Sequence, residues 1–129
     1  MSVLDVRGIA ALLKGKMTFK VWLEAQNRAE VVVPREVIRH FQCAIAALPD
    51  SDFRGEMTRR LDRISREIFV AEETDEFNKA FVRLRVARPD DDVLDTVVAA
   101  HSLALGVPVL TAGKGPFAAI AGVEVKDWG

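Results

Sequence analysis

Asp5 breaks the apolar run of "SVLDV", and Arg7 and Gly8 follow it directly, so the run reads as a first strand that ends at a carboxylate. A charge at a strand end inside an α/β protein needs a partner or a task, because burying it unpaired is costly. Far along the chain, "DDDVLDTVV" places Asp92 and Asp95 three apart, on one helical face about a turn from each other. Carboxylates gathered at a sheet edge repel one another unless a cation or a basic side chain offsets them. Oxygen-rich clusters suit Mg²⁺ or Mn²⁺. A metal held there could orient a phosphodiester, activate a water and stabilise the leaving oxygen. Asp90, Asp91 and Asp92 also have a plainer reading: acids in a helix's first turn favour its dipole by a few tenths to about 1 kcal/mol.

The stretch "VPVLTAGKGPF" has the look of a strand feeding a phosphate-gripping loop. It fails as one. A phosphate-binding loop needs a glycine five positions before Gly113 and a Ser or Thr after Lys114, and those positions hold Pro108 and Gly115. In "MTRRLDRISRE", Arg59, Arg63 and Arg66 share a helical face that could follow a phosphate backbone, or could be a solvated face paired with Glu56, Asp62 and Glu67. His101, inside "VVAAHSLAL", reads as a packed helix residue, and Cys43 as an inert thiol beside an apolar stripe. Trp22 reads as core, and Trp128 as a strand cap or an interface residue.

The elements that must position these residues follow from periodicity and punctuation. "SVLDV", "EVVVP", "EIFVA", "PVLTA" and "VEVKDW" read as short strands. "IAALLKG", "TFKVWLEAQNRA", "PREVIRHFQCAIAALPD", "FRGEMTRRLDRIS", "TDEFNKAFVRLRVA" and "DDDVLDTVVAAHSLALG" read as helices. Pro34 suits a first helical turn, Thr74 an N-cap and Gly106 a helix end. Strands alternating with helices imply a parallel sheet covered on both faces. Ligands bind beyond the carboxyl ends of such strands, where Asp5, Thr111 and the helix opened by the acids should meet.

The bulk numbers bound the rest. The chain has 129 residues and a formal net charge of −1, the size and balance of one ordinary globular domain. That balance argues against a protein coated in positive charge for duplex binding. The lone Cys43 excludes an intrachain disulfide framework and fits a reducing cytoplasm. "MSVLDVRG" meets charge too early for a signal peptide, and no apolar run reaches the roughly 20 residues of a membrane span.

Taken together, Asp5 closing a strand, "VVVP" leading into a helix, and "LDTVVAAHSLALGVPVLTAGKGPF" followed by "IAGVEV" resemble the PIN-domain proteins, in particular the small VapC-type toxin ribonucleases. The resemblance spans essentially the whole chain, residues 1–129, as a single PIN-like domain, and is most specific from Asp95 to Val125. It implies a three-layer α/β/α sandwich around a mostly parallel sheet, a Mg²⁺- or Mn²⁺-dependent endoribonuclease acting on an RNA substrate, a homodimer, and an antitoxin protein that holds the enzyme inactive.

Carried across one position at a time, the resemblance assigns Asp5 and Asp95 as the catalytic and metal-binding acids. Two further acids are expected, and their positions hold His40 and Gly113. A small hydroxyl or amide residue is expected two after the first Asp, and Arg7 stands there instead. A site reduced to two carboxylates binds a hard divalent ion weakly or not at all. Glu36 and Asp92 are placed by helical spacing to stand in for the missing acids. Alternatively, Arg7, His40 and Lys114 neutralise Asp5 and Asp95 in place of a metal, leaving a silent PIN-like module that binds RNA or a protein partner. A mainly structural homodimer subunit whose groove receives a partner helix is the third reading.

Overall fold

A computed structural model describes residues 1–25, 30–113 and 115–128. Among the described residues, five short strands, β1 (Ser2–Leu4), β2 (Val31–Pro34), β3 (Phe69–Ala71), β4 (Val109–Thr111) and β5 (Val125–Asp127), form one parallel sheet in the order β3-β2-β1-β4-β5. The helices described between them are α1 (Val6–Leu13), α2 (Met17–Ala25), α3 (Arg35–Ala46), α4 (Asp52–Glu67), α5 (Asp75–Ala87) and α6 (Val93–Leu105). A 3₁₀ turn, Gly115–Ala119, leads from β4 toward β5. This is the α/β sandwich that the alternation of strand and helix implies, with every strand pairing parallel.

The three central strands, β2, β1 and β4, are hydrophobic because they are buried on both sides. Val3, Leu4, Val33, Val109 and Leu110 are essentially inaccessible, so β-branched and aliphatic residues follow one another without polar alternation. From β1 the strands proceed outward through β2 to β3, and the chain then crosses back to β4 and β5 on the other side of β1. Right-handed crossovers therefore send α5 and α6 to one face and the earlier helices to the other. The contacts agree: α5 packs along α6, which lies on β1, β2 and β4, while α1 packs on α2 and α4. The strand order reverses between β1 and β4, and the crevice beyond their carboxyl ends is where such sheets bind ligands.

Helix ends match their local chemistry. Ser51 and Thr74 cap α4 and α5 through their hydroxyls, and Asp92 caps α6 by accepting from the Asp95 amide. The plain reading of the acid triplet thus describes Asp92, and Asp91 pairs with Arg88. Gly106 ends α6 in the left-handed conformation. The second helix was expected to run through Ala29. It is described to Ala25, and residues 26–29 lie outside the described set. No helix of the described residues is long and apolar enough to cross a membrane.

Candidate acidic site at the sheet edge

Asp5 follows β1 and is wholly buried. It is the N-cap of α1, with Oδ1 accepting from the Gly8 amide at 3.0 Å. Its Oδ2 accepts from the Thr111 hydroxyl at 2.6 Å and from Arg7 Nη1 at 3.0 Å. Thr111 ends β4, the strand beside β1, so both partners come from the point where strand order reverses. Asp95 sits in the first turn of α6, which runs back toward β4 and so presents its N-terminus at the same edge. The sequence brings it there by setting a cap, Asp92, three residues before it.

Arg7 joins the two acids. Its Nη1 donates to Asp5 Oδ2 and also to Asp95 Oδ1 at 3.2 Å, while Nη2 reaches Asp95 Oδ2 at 3.4 Å. The hydrogen bond to Asp95, more than that to Asp5, raises the guanidinium above its ordinary value against the opposing effect of burial. One guanidinium thus serves as counter-ion to two carboxylates. This satisfies the buried Asp5 in the way a buried charge requires. Gly8 helps set the geometry: a Cβ there would stand 2.2 Å from Leu4 Cδ1, so the turn from β1 into α1 needs a residue without a side chain.

The other acids expected to assist are engaged elsewhere. Glu36 in the first turn of α3 directs Oε2 to Nε2 of His101 at 3.2 Å, and His101 in turn stacks on Phe77 at 4.1 Å. Burial pushes the Glu36 carboxyl up, but the His101 bond and a backbone bond pull harder, and the net is below the ordinary value. His101 is a packed helix residue, as its surroundings in sequence suggested, with Glu36 as its partner. His40 is exposed on α3 and lies edge-on against Phe41. The described hydrogen-bond partners of Asp5 are Gly8, Thr111 and Arg7, and His40 is not among them. Gly113 carries no acid, but its amide donates to Asp127 Oδ1 at 2.9 Å, so a carboxylate from β5 does reach the loop. Sequence reasoning missed Asp127, and no local signal marks a contact made 14 residues along the chain. Lys114, the third cation of the neutralisation reading, lies outside the described residues.

The residues present do not fit a divalent ion as they stand. Among the described residues no group of three or more His, Cys, Asp or Glu side chains gathers closely enough to hold one. The space between Asp5 and Asp95 is spanned by Arg7. The arginines of α4 follow the solvated reading in large part: Arg59 and Arg60 pair with Glu56, and Arg63 with Glu67. Away from the acids, α1, α2 and α4 enclose a cleft of about 400 Å³ whose floor includes Leu12, Leu23, Ile64 and Ile68, with Arg60 and Glu56 among its charged lining.

No family model matches the sequence, and no curated protein does. The fold has counterparts. It is PIN-like, and its structural neighbours include chains of VapBC and other toxin–antitoxin complexes. A chain of the DNA-bound VapBC complex from Salmonella typhimurium superposes with a TM-score of 0.85 at 16% identity, covering 100% of both chains. One of Rickettsia felis VapBC2 bound to a promoter DNA fragment gives 0.83 at 16%, covering 99% of this chain and 98% of that one. The Mycobacterium tuberculosis toxin VapC20, which cleaves the sarcin-ricin loop, gives 0.61 at 14%, covering 84% and 87%. At these identities the likeness is one of fold, and function has to be argued from the site.

Proposed function

We propose that this chain is a VapC-like protein of a toxin–antitoxin pair, a single PIN-like domain over residues 1–129 that engages RNA at the Asp5–Asp95 edge. Its metal-dependent endoribonuclease chemistry is silenced by Arg7 and by the loss of acids where His40 and Gly113 stand. The observation that carries this reading is the convergence of Asp5, Asp95 and Thr111 at the point of strand reversal, in a fold shared end to end with chains of VapBC complexes. Arg7 is half-exposed, with 44% of its side chain accessible, so its outer edge is open to a phosphate. The cleft between α1, α2 and α4, apolar beneath and charged around, suits a segment of an antitoxin-type partner. The protein works in the cytoplasm as a homodimer, with no membrane attachment.

The convergence also favours a second reading, an active Mg²⁺- or Mn²⁺-dependent endoribonuclease with Asp5 and Asp95 as its acids, which requires Arg7 to swing out. A cleavage assay on structured RNA with Mn²⁺, run beside Asp5→Asn, separates the two. The first reading expects salt-dependent RNA binding with no cleavage that depends on Asp5. Cleavage abolished by Asp5→Asn establishes the second, and absence of both binding and cleavage removes RNA from the account.

A further inference from the structure

We infer that Arg7 is the resident cation of the acidic site: it occupies the position between Asp5 and Asp95 and keeps divalent metal out. The inference deepens the functional reading above but rests on the geometry of three side chains.

A single nitrogen, Arg7 Nη1, lies 3.0 Å from an oxygen of Asp5 and 3.2 Å from one of Asp95, so the two carboxylates converge on one point and that point is filled. A Mg²⁺ bridging them would need oxygens at about 2.1 Å in a near-octahedral shell, and the guanidinium leaves no room for it. Charge leads to the same place. Two carboxylates and one guanidinium sum to −1, too little to draw a hard dication from its hydration shell. The nearby acids that could add charge are turned to other donors: Asp92 to the Asp95 amide, Glu36 to His101, Asp127 to the Gly113 amide. Asp5 has no water to fall back on, since it is fully buried, so a guanidinium held by a second carboxylate is a stable solution for it. Arg7 is fixed by Asp95 as much as by Asp5, and it starts two residues after Asp5 on the same helix, where α1 is anchored by the Gly8 amide.

Mn²⁺ binding, followed by the loss of the free-ion paramagnetic resonance signal, tests this on the intact protein and on Arg7→Gln. Wild type is expected to bind no Mn²⁺ below about 1 mM, and Arg7→Gln to bind at least about tenfold more tightly, as the charge count of the site falls from −1 to −2. Micromolar binding by wild type overturns the inference. So does the absence of any gain in Arg7→Gln, which would mean that Arg7 is not what excludes the metal. Should Arg7→Gln fail to fold, the guanidinium ¹⁵N–H signals of Arg7 in wild type decide. Signals unmoved by millimolar Mg²⁺ support the inference, and signals shifted to those of a free arginine overturn it. RNA binding is measured separately, so an Arg7 that yields to metal leaves the toxin–antitoxin reading standing, and an RNA-inert protein leaves the cation assignment standing.

Discussion

The hydroxyl of Thr111 donates to Oδ2 of Asp5 across 2.6 Å in the buried interior, tying together the carboxyl ends of two neighbouring strands from opposite ends of the chain. Thr111→Val keeps the shape and removes the donor, leaving a buried carboxylate short of one bond. The expected loss is about 1–3 kcal/mol, because an under-satisfied buried acceptor costs its desolvation. Urea denaturation at neutral pH checks it.

Gly8→Ala should be destabilising out of proportion to its size. The added methyl meets the Leu4 side chain far inside contact distance, and overpacking of this kind costs about 1–3 kcal/mol. Because the Gly8 amide also caps on Asp5, the variant should disturb the acidic edge as well. Thermal denaturation reads the first effect, and the Arg7 guanidinium signals read the second.

Glu36 gives a pH-dependent signature. Its folded-state pKa lies below the ordinary 4.5, since the His101 and backbone bonds outweigh burial. A depressed carboxyl contributes stability that is whole above its unfolded value and is lost as pH falls through its folded value. Glu36→Gln should therefore cost stability at pH 7, about 1.5–3 kcal/mol for one charge-assisted bond, and the gap from wild type should close in acid. Paired urea titrations at neutral pH and near pH 3 check the sign.

Gly113→Asp tests whether the loop tolerates the acid expected there. A Cβ at Gly113 meets nothing within 4 Å, so there is space, but the backbone φ of 68° is one that side chains rarely adopt. Asp accepts that region better than most residues, and a cost of about 1 kcal/mol is expected. With Arg7 in place the variant should still bind no Mn²⁺ below about 1 mM. Calorimetric titration checks this.

The sequence made the architecture legible where its signals were local. "SVL", "VVVP" and "VLT" are buried on both faces and so read as continuous apolar runs, and Thr74 and Gly106 mark helix ends through their own chemistry. The approach of Asp5 to Asp95 was legible through topology, since strand ends and helix starts share an edge in a parallel sheet. The orientation of side chains was not. His40 holds the position the resemblance gives to an acid, yet the helical turn carries it outward to solvent. Glu36 finds His101 from 65 residues away, and no periodicity encodes that pairing. "EIFVA" reads as a strand and is one, but the sequence does not mark it as an edge strand, where Phe69 is 63% exposed.

The account depends on Arg7 holding Asp95, 88 positions away, and a double-mutant cycle measures that most directly. Arg7→Gln, Asp95→Asn and the double variant are compared with wild type by urea denaturation. A coupling of about 0.5–2 kcal/mol is predicted for two groups in contact. Additivity within about 0.3 kcal/mol would place the two side chains apart and contradict the shared acidic site.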